Sequence, residues 1–474
     1  MDIHYVAWFA RSFVLVSIAA SKNIISKIKW PRFLLVAFAV LSSSMAICID
    51  KFDSFGDQHS FLWALFSFIS LSLVVLTPCF YVFFRSGKAY LPFIVYGVSI
   101  WVFLVAGVLA YNSRLGLYHP ANLSYWGVII LASVPVYLAM LIPKALSATQ
   151  KFETGEPNGN YSVKLLFVIA AIIASGVAIY CLQSGLPPLW KMILSGSMSD
   201  LSGALMYDIR NEATGADSFG NAKTIFLVMP SFLFLLSFYY FVNKKISIYL
   251  FSLILFVCVL LSSAFLHKKG LALYVPMMIL VYVYVKGFSI RKTFYGMALL
   301  TASLILGFIF FYQGMTIDQV LDLLIFRVFG SYSFNTMFAL NLFPEPQEYL
   351  WGKTMITFVG GGGENLPGLI MYQVYGVLGN ASLSTFGHWY ANFGWVGVVF
   401  VTSLITLWLF FLSYMHRYAK RVPFYSAIWL YFSVSSMDFA TTEFFSAIGL
   451  KDGFITVSAI LVYMFLLNFK RSPN

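Results

Sequence analysis

The sequence predicts an all-α polytopic membrane protein. Of its 474 residues, 60% are hydrophobic and only 10% are charged, and the mean hydropathy is +0.83. A soluble domain of this size could not cover its surface with so few polar groups. Apolar runs of about 17–24 residues recur from end to end, and each is long enough to cross about 30 Å of hydrocarbon as an α-helix.

The apolar runs predict about twelve transmembrane helices, with 11 to 14 as the range. Residues 3–20 are also apolar but contain Arg11, so they form either a further span or an amphipathic helix at the interface. We treat residues 1–474 as a single integral membrane domain. The predicted spans are 33–49, 61–84, 91–110, 124–142, 165–182, 224–242, 246–266, 271–285, 294–312, 393–414, 424–437 and 454–468.

The net charge of +12 is explained by membrane topology and does not indicate a nucleic-acid partner. When the loops between successive spans are assigned to alternate sides of the membrane, one face contains nineteen of the 30 Lys and Arg residues and the other contains ten. Arg11 is left unassigned. Basic residues concentrate on the cytoplasmic side of membrane proteins. This distribution predicts a cytoplasmic C-terminus and two large loops on the opposite side, at residues 183–223 and 313–392.

The first large loop carries the candidate anion-binding residue Arg210. The loop opens with Gly-Leu-Pro-Pro-Leu-Trp at 185–190, a segment that cannot continue a helix. A guanidinium stays charged and suits bidentate contacts to phosphate, and Asp208 or Glu212 could orient it. The alternative is an interfacial elbow in which Arg210 forms only a structural salt bridge.

A basic turn at residues 267–270 breaks the charge rule. His267, Lys268 and Lys269 fall on the outer face, where cations are not expected. Such cations need a counter-ion, and an anionic lipid head group or a pyrophosphate would serve. The alternative is that the helix boundary lies elsewhere and that the lysine side chains extend to the interface.

The second large loop is too aromatic and glycine-rich to be predicted as disordered. Apolar residues within 318–342 follow a helical stripe, which predicts a helix lying on the membrane with Arg327 beside the apolar face. Glu364 follows four consecutive glycines, and His388 lies in the block that leads back into the membrane. The chain contains no Walker loop, zinc-type His/Cys spacing or Ser-His-Asp motif, so no metal site is predicted.

The pattern resembles the Wzy-type polymerases of oligosaccharide repeat units in bacterial surface polysaccharide synthesis. The resemblance is carried by Arg-x9-Gly from Arg210 to Gly220, by the basic turn at 267–270, and by Tyr-x2-Tyr-Gly-x2-Gly followed by Asn-Phe-Gly-x2-Gly within 372–397. It covers most of residues 165–415. The family typically has a similar Arg-to-Gly spacing in its second loop. This sequence departs from that pattern, because Arg327 is followed by Gly330 and then by no glycine until Gly352.

The resemblance implies a metal-independent, lipid-linked glycosyltransferase of GT-C-like architecture in the bacterial inner membrane, without a cofactor. The donor would be a glycan on undecaprenyl pyrophosphate, with membrane lipid around it and a chain-length regulator and a flippase as partner proteins. Cations in place of a metal would stabilise the pyrophosphate leaving group. The expected residues are Arg210, Lys268, Lys269 and Arg327 for pyrophosphate, His388 or Glu364 as the base, and Asp208, Glu212, Tyr372 and Tyr375 in support.

Three alternatives remain. A purely structural subunit of an export complex would leave the basic residues of the outer face unexplained. An O-antigen ligase would share the fold and the donor but transfer the glycan to the lipid A core. A flippase for lipid-linked oligosaccharide would be a transporter, for which internal repeats and charges within the spans are expected. The sequence shows no repeat and almost no charge within the predicted spans, and this favours an enzyme.

Overall fold

The computed structural model describes residues 60–85, 88–108, 123–141, 159–195, 226, 229–264, 268–287, 316, 319, 326–343, 348–354, 366–376, 381–419 and 423–444. Across these ranges the chain is mostly helical and contains no strand. The α-helices are α1 (Ser60–Arg85), α2 (Leu91–Ile100), α3 (Leu123–Leu141), α4 (Gly159–Ser184), α5 (Pro188–Ser195), α6 (Met229–Val242), α7 (Ile248–Ser263), α8 (Lys268–Lys286), α9 (Ser331–Leu342), α10 (Leu366–Tyr375), α11 (Thr385–Ala419) and α12 (Pro423–Ser435).

The observed helices agree with the predicted apolar segments. The parts of the predicted segments that fall within the ranges above are helical, and the bounds differ by between zero and eight residues, most at the start of α11. The segments 33–49, 294–312 and 454–468 lie outside the described residues. Among the described residues, three stretches are long and apolar enough to cross a membrane, namely Lys88–Val105, Leu166–Gln183 and Thr385–His416. The number of about twelve spans stays a prediction.

The surfaces of several helices are apolar, as a lipid environment requires. Side chains of α7 such as Leu253 and Phe256 are exposed, and so are Phe167 on α4 and Val399 and Phe400 on α11. A water-soluble protein rarely exposes so many large apolar side chains side by side. The exposed helices are therefore compatible with a protein that lies in a membrane.

Contacts divide the chain into two compact units. Unit 1 consists of residues 1–143, 325–407 and 440–442, and unit 2 of residues 144–324, 408–439 and 443–474. The second large loop therefore falls mainly in unit 1 and the first in unit 2. The prediction of one integral membrane domain stays a prediction.

Unit 1 is built around two π-helical turns, Trp101–Val105 and Phe326–Gly330. The Ser333 hydroxyl lies 2.8 Å from the Leu104 carbonyl oxygen and 3.1 Å from that of Phe103, and the Tyr125 hydroxyl donates to Leu104 at 2.5 Å. A π-turn leaves carbonyl groups without their usual helical partners, and these hydroxyls supply the donors.

Helix α9 corrects one prediction about the second loop. A helix lying on the membrane would expose one face, but Ser331 to Met337 are all buried, Ser333 and Thr336 completely. Both polar and apolar residues from Ser331 to Met337 pack inside unit 1, whereas Asn341 near the end of the helix is exposed. Most of the N-terminal half of the stripe lies outside the described residues; its C-terminal half is helical as predicted, and the surroundings of that half were predicted wrongly.

Unit 2 has α6 at its centre, packed against α4, α7, α8 and α12. The rings of Phe234 and Tyr274 meet edge to face at 4.5 Å between centroids. The hydroxyls of Tyr274 and Ser262 are hydrogen-bonded at 2.5 Å, which fixes α8 against α7. Ser247 directly precedes α7, and its side chain caps the helix by accepting from the Leu250 amide.

Candidate functional site

The two ends of the first large loop meet in unit 2. Helix α4 ends at Gly185, which has φ +77° and donates its amide to the Cys181 carbonyl at 3.1 Å. The chain then turns through two prolines into the short helix α5. The ring of Phe226 contacts Tyr180 at 5.0 Å and Trp190 at 6.1 Å between centroids. An aromatic cluster therefore joins the start of the loop to its end.

The same elbow contacts the segment before the basic turn. The Leu189 amide donates to the Ala264 carbonyl at 3.0 Å, just beyond the end of α7. Helix α8 then begins at Lys268. The lysines 268 and 269 thus belong to the first helical turn of α8, three residues earlier than the predicted span, and not to a tight turn. The N-terminus of α8 carries the positive end of its helix dipole, so the dipole adds to the positive potential of the two lysines.

Several predicted residues are not placed. Arg210, Asp208, Glu212 and Glu364 lie outside the described residues. The backbone of Arg327 lies in the π-turn Phe326–Gly330 of unit 1. A shared pocket of Arg210, the two lysines and Arg327 therefore stays a prediction.

The second large loop returns to the helices of unit 1 through a broken helix. Helix α11 is interrupted at Gly394, whose φ of 58° and ψ of −145° lie in a region that only glycine visits. After the break the chain passes close to its own first turns, because a Cβ on Gly397 would overlap the Trp389 carbonyl. In a straight helix residues eight apart are separated by about 12 Å. Two helical segments therefore meet here at a steep angle.

A short turn, residues 349–354, docks onto this break. The Leu350 amide donates to the Ala391 carbonyl at 2.9 Å, and the Trp351 amide donates to the Asn392 carbonyl at 3.0 Å. In an unbroken helix those carbonyls would accept from residues four further along. The break removes these helical donors, and the turn replaces them. We call this arrangement, residues 349–354 with 388–397, the turn–helix junction.

Asn392 holds the turn–helix junction together. Its side chain is completely buried. It accepts from the Gly352 amide at 3.0 Å and donates to the Thr354 hydroxyl at 2.6 Å and to the His388 carbonyl at 2.8 Å. Since every polar group of this buried amide is used, Asn392 is a structural clamp between the turn and the first part of α11.

The turn itself is strained. The Lys353 amide donates to the Leu350 carbonyl at 2.9 Å, and both central residues have positive φ, 47° at Trp351 and 84° at Gly352. Glycine and asparagine adopt this type I′ conformation readily, whereas a bulky side chain rarely does. A residue held this way costs about 1–3 kcal/mol, and the strain persists because the surrounding hydrogen bonds over-determine the backbone.

Aromatic rings line one side of the turn–helix junction. The Tyr349 ring lies 6.1 Å from that of Tyr390 and 6.0 Å from that of Trp351. Burial raises the pKa of Tyr349 above its ordinary value of 10, and the Tyr390 hydroxyl partly offsets this rise. The Tyr349 phenol therefore stays protonated at neutral pH. A Cβ on Gly394 would overlap the Tyr349 hydroxyl, so this ring packs directly against the helix break.

A buried polar cluster supports the start of α11. The hydroxyls of Thr336 and Ser384 are hydrogen-bonded at 2.8 Å, and Ser384 also accepts from the Gly387 amide. The Asn335 amide donates to the Ser382 carbonyl at 2.7 Å. Its carbonyl oxygen is buried and has no hydrogen-bond partner among the residues placed by the structure. These contacts fix the approach of the second loop to α11.

Among the predicted site residues that the structure describes, His388 lies within the turn–helix junction. It is half-buried in the first part of α11, and its carbonyl accepts from the Asn392 side chain. Tyr372 is exposed on α10, and the backbone of Tyr375 ends that helix. Gly376, with φ +65°, caps α10 by donating to the Tyr372 carbonyl at 2.9 Å. The structure therefore gives the glycine after Tyr375 a helix-ending role.

Sequence reasoning did not single out Tyr349, Trp351 or Gly352. Only the motif Asn-Phe-Gly-x2-Gly pointed to this place, and its Asn392, Gly394 and Gly397 now have structural roles. The turn that docks on this motif lies about forty residues earlier, and no periodicity connects the two segments.

Within the described part of the chain, no group of three or more His, Cys, Asp or Glu side chains is arranged to hold a metal ion. Comparison with known proteins gives no match: no family model fits the chain, and no curated protein or solved structure is significantly similar to it.

Proposed function

We propose that this protein polymerises undecaprenyl-pyrophosphate-linked oligosaccharide repeat units into surface polysaccharide. The proposal includes about twelve transmembrane helices of GT-C-like architecture in the bacterial inner membrane. It also includes two large loops on the periplasmic face and a C-terminus in the cytoplasm. O-antigen, capsule and exopolysaccharide are all products of this reaction class.

One observation carries the proposal furthest. The hydrogen bond from the Leu189 amide to the Ala264 carbonyl joins the elbow that opens the Arg210 loop to the segment that precedes Lys268. The Phe226 ring ties the far end of the same loop to the elbow. The residues that flank the Arg210 stretch thus lie together, and Leu189 among them binds Ala264, four residues before the start of α8. This supports a cationic pocket built from Arg210, Lys268 and Lys269.

The proposed chemistry uses cations in place of a metal. The acceptor hydroxyl oxygen attacks the anomeric carbon of the donor, and the bond from that carbon to the pyrophosphate oxygen breaks. A base takes the hydroxyl proton, with His388 and Glu364 as candidates. Arg210, the two lysines and Arg327 stabilise the negative charge that develops on the leaving pyrophosphate. Loss of one such group costs on the order of 10²–10³ in rate.

The polysaccharide profile of variant strains tests this proposal. A deletion strain is complemented with the wild-type gene, with Arg210→Ala or with Arg210→Lys, and surface glycan is separated on gels at matched protein levels. We expect single-repeat glycans from Arg210→Ala and little polymer from Arg210→Lys, because lysine lacks the bidentate fork. Lys164→Ala is the matched control, since Lys164 is an exposed cation on α4 and should leave the profile unchanged.

The outcomes separate the possible functions. Single-repeat glycan in the deletion strain supports a polymerase, whereas the absence of any attached repeat indicates a ligase or a flippase. Long-chain polysaccharide from Arg210→Ala at normal abundance would refute the role of Arg210. Rescue of Arg210→Asp by Asp208→Arg or Glu212→Arg would instead indicate a structural salt bridge.

A further inference from the structure

The turn at residues 350–353 holds a large aromatic side chain in a backbone conformation that suits glycine. Trp351 has φ 47°, and its neighbour Gly352 has φ 84°. A turn of this type does not require tryptophan at this position, because glycine or asparagine would form the same turn with less strain. A residue kept in an unfavourable conformation is a reason to look for a function.

The backbone around Trp351 is rigidly fixed. The amide of Leu350 is held by the Ala391 carbonyl at 2.9 Å, and that of Trp351 by the Asn392 carbonyl at 3.0 Å. The Gly352 amide donates to the buried Asn392 side chain at 3.0 Å. Three successive amides are thus anchored to the broken helix. The junction therefore fixes the backbone of Trp351 and the position from which its side chain leaves the turn.

The indole itself is presented outward. Trp351 is 63% exposed, although its backbone is anchored to buried groups. Its ring neighbours are Tyr349 at 6.0 Å with an interplanar angle of 59°, and Phe393 at 6.5 Å with an angle of 74°. Neither ring lies parallel to the indole, so neither is stacked on its flat face. Two exposed charged residues, Glu348 and Lys353, lie three residues before and two residues after Trp351 in the chain.

We propose that Trp351 is the stacking platform of a carbohydrate subsite, with a pyranose ring of a glycan as its occupant. A pyranose ring has C–H groups on its faces and hydroxyls at its rim. It therefore matches an exposed aromatic surface that has hydrogen-bonding side chains, Glu348 and Lys353, within three residues along the chain. The contact buries the apolar C–H face of the sugar against the indole, so it tolerates different pyranose rings. This inference rests on the proposed function, since it assigns a residue to the binding of the glycan part of the substrate.

The main competing role is that of an interfacial anchor in the lipid head-group region, where tryptophan is enriched. Partition into that region does not depend on a particular backbone conformation. The strained turn and its charged neighbours thus favour a defined ligand. The following experiment separates the two roles.

The test measures binding of one defined probe to the full-length protein in lipid nanodiscs. The probe is the repeat-unit oligosaccharide released by mild acid from the surface polysaccharide of the host strain, and titration calorimetry gives its affinity. The variants are Trp351→Tyr, Trp351→Leu and Trp351→Gly, with Tyr249→Ala as the control. Tyr249 is an exposed aromatic residue on α7 of unit 2. Glycine suits the left-handed backbone, so that variant keeps the turn folded.

We expect Trp351→Tyr to bind within a few-fold of the wild type, and Trp351→Leu and Trp351→Gly to bind about 10- to 100-fold more weakly, as for the loss of an anchoring tryptophan in a binding site. The Gly variant should also unfold at a temperature at least as high as the wild type, because the strain at φ 47° is removed. Weaker binding together with undiminished stability is the signature of a ligand platform.

Equal affinity for the probe in all variants, or no binding by the wild type, would overturn the platform. Two results together would assign Trp351 to the membrane interface instead. Trp351→Leu would bind the probe with wild-type affinity, and Trp351→Gly would lose the quenching of tryptophan fluorescence by brominated lipids that the wild type shows. The proposed function fails by a different result. Normal long-chain polysaccharide in the deletion strain would refute the polymerase while Trp351-dependent glycan binding remained intact.

Discussion

The most informative perturbation of the turn–helix junction is Asn392→Ala. The change removes the three hydrogen bonds of the Asn392 side chain. This side chain accepts from the Gly352 amide at 3.0 Å, and it donates to the Thr354 hydroxyl at 2.6 Å and to the His388 carbonyl at 2.8 Å. A net contribution of about 1 kcal/mol for each bond gives about 3 kcal/mol of local stability. The two backbone hydrogen bonds from Leu350 and Trp351 to the helix break remain, so the turn is weakened but not released.

Amide hydrogen exchange measures this effect directly. A loss of about 3 kcal/mol in the opening free energy corresponds to exchange on the order of 100-fold faster. We expect that acceleration in peptides covering residues 349–354, with little change in α6 of unit 2. Asn392→Asp should be at least as damaging, because it places a carboxylate oxygen against the His388 carbonyl in a buried site.

Ser403→Ala is the matched control for this experiment. Ser403 is exposed on the same helix, and its hydroxyl donates within that helix to the Val399 carbonyl at 2.9 Å. Its replacement should leave exchange at residues 349–354 unchanged. If Asn392→Ala exchanged there as slowly as Ser403→Ala, Asn392 would not be the clamp of the junction.

The remaining predictions concern the helix break and the topology. Gly394→Ala should lower the thermal unfolding temperature in detergent more than Gly287→Ala. Both glycines have a positive φ, but of these two only Gly394 lies where a Cβ would overlap another side chain, that of Tyr349. Equal losses in the two variants would show that this overlap is unimportant. Cysteines introduced at Asp217 and Glu348 should react with a membrane-impermeant thiol reagent in cells with a permeabilised outer membrane, as the charge bias predicts. Labelling only after lysis of the inner membrane would reverse the topology.

Sequence patterns determined the helical elements of this protein. Apolar runs such as 124–142 and 271–285 predicted α3 and α8 to within a few residues, because length and hydropathy are local properties of the chain. The elbow at Gly185 was also predicted, since consecutive prolines cannot continue a helix and this effect needs no distant partner. The same local patterns predicted an all-α membrane protein, and the described residues are mostly helical, without a strand, and compatible with one.

Only the tertiary structure decided what surrounds those elements. The apolar stripe of residues 318–342 predicted a helix with one exposed face, but the buried hydroxyls of α9 meet partners on distant elements, as Ser333 does with Leu104. The helix break at Gly394 is stable because a turn some forty residues earlier donates amides to the freed carbonyls. Such pairings depend on which polar groups are left without partners after packing. No periodicity along the chain records them, which is why Trp351 and Asn392 acquired their roles only in the folded protein.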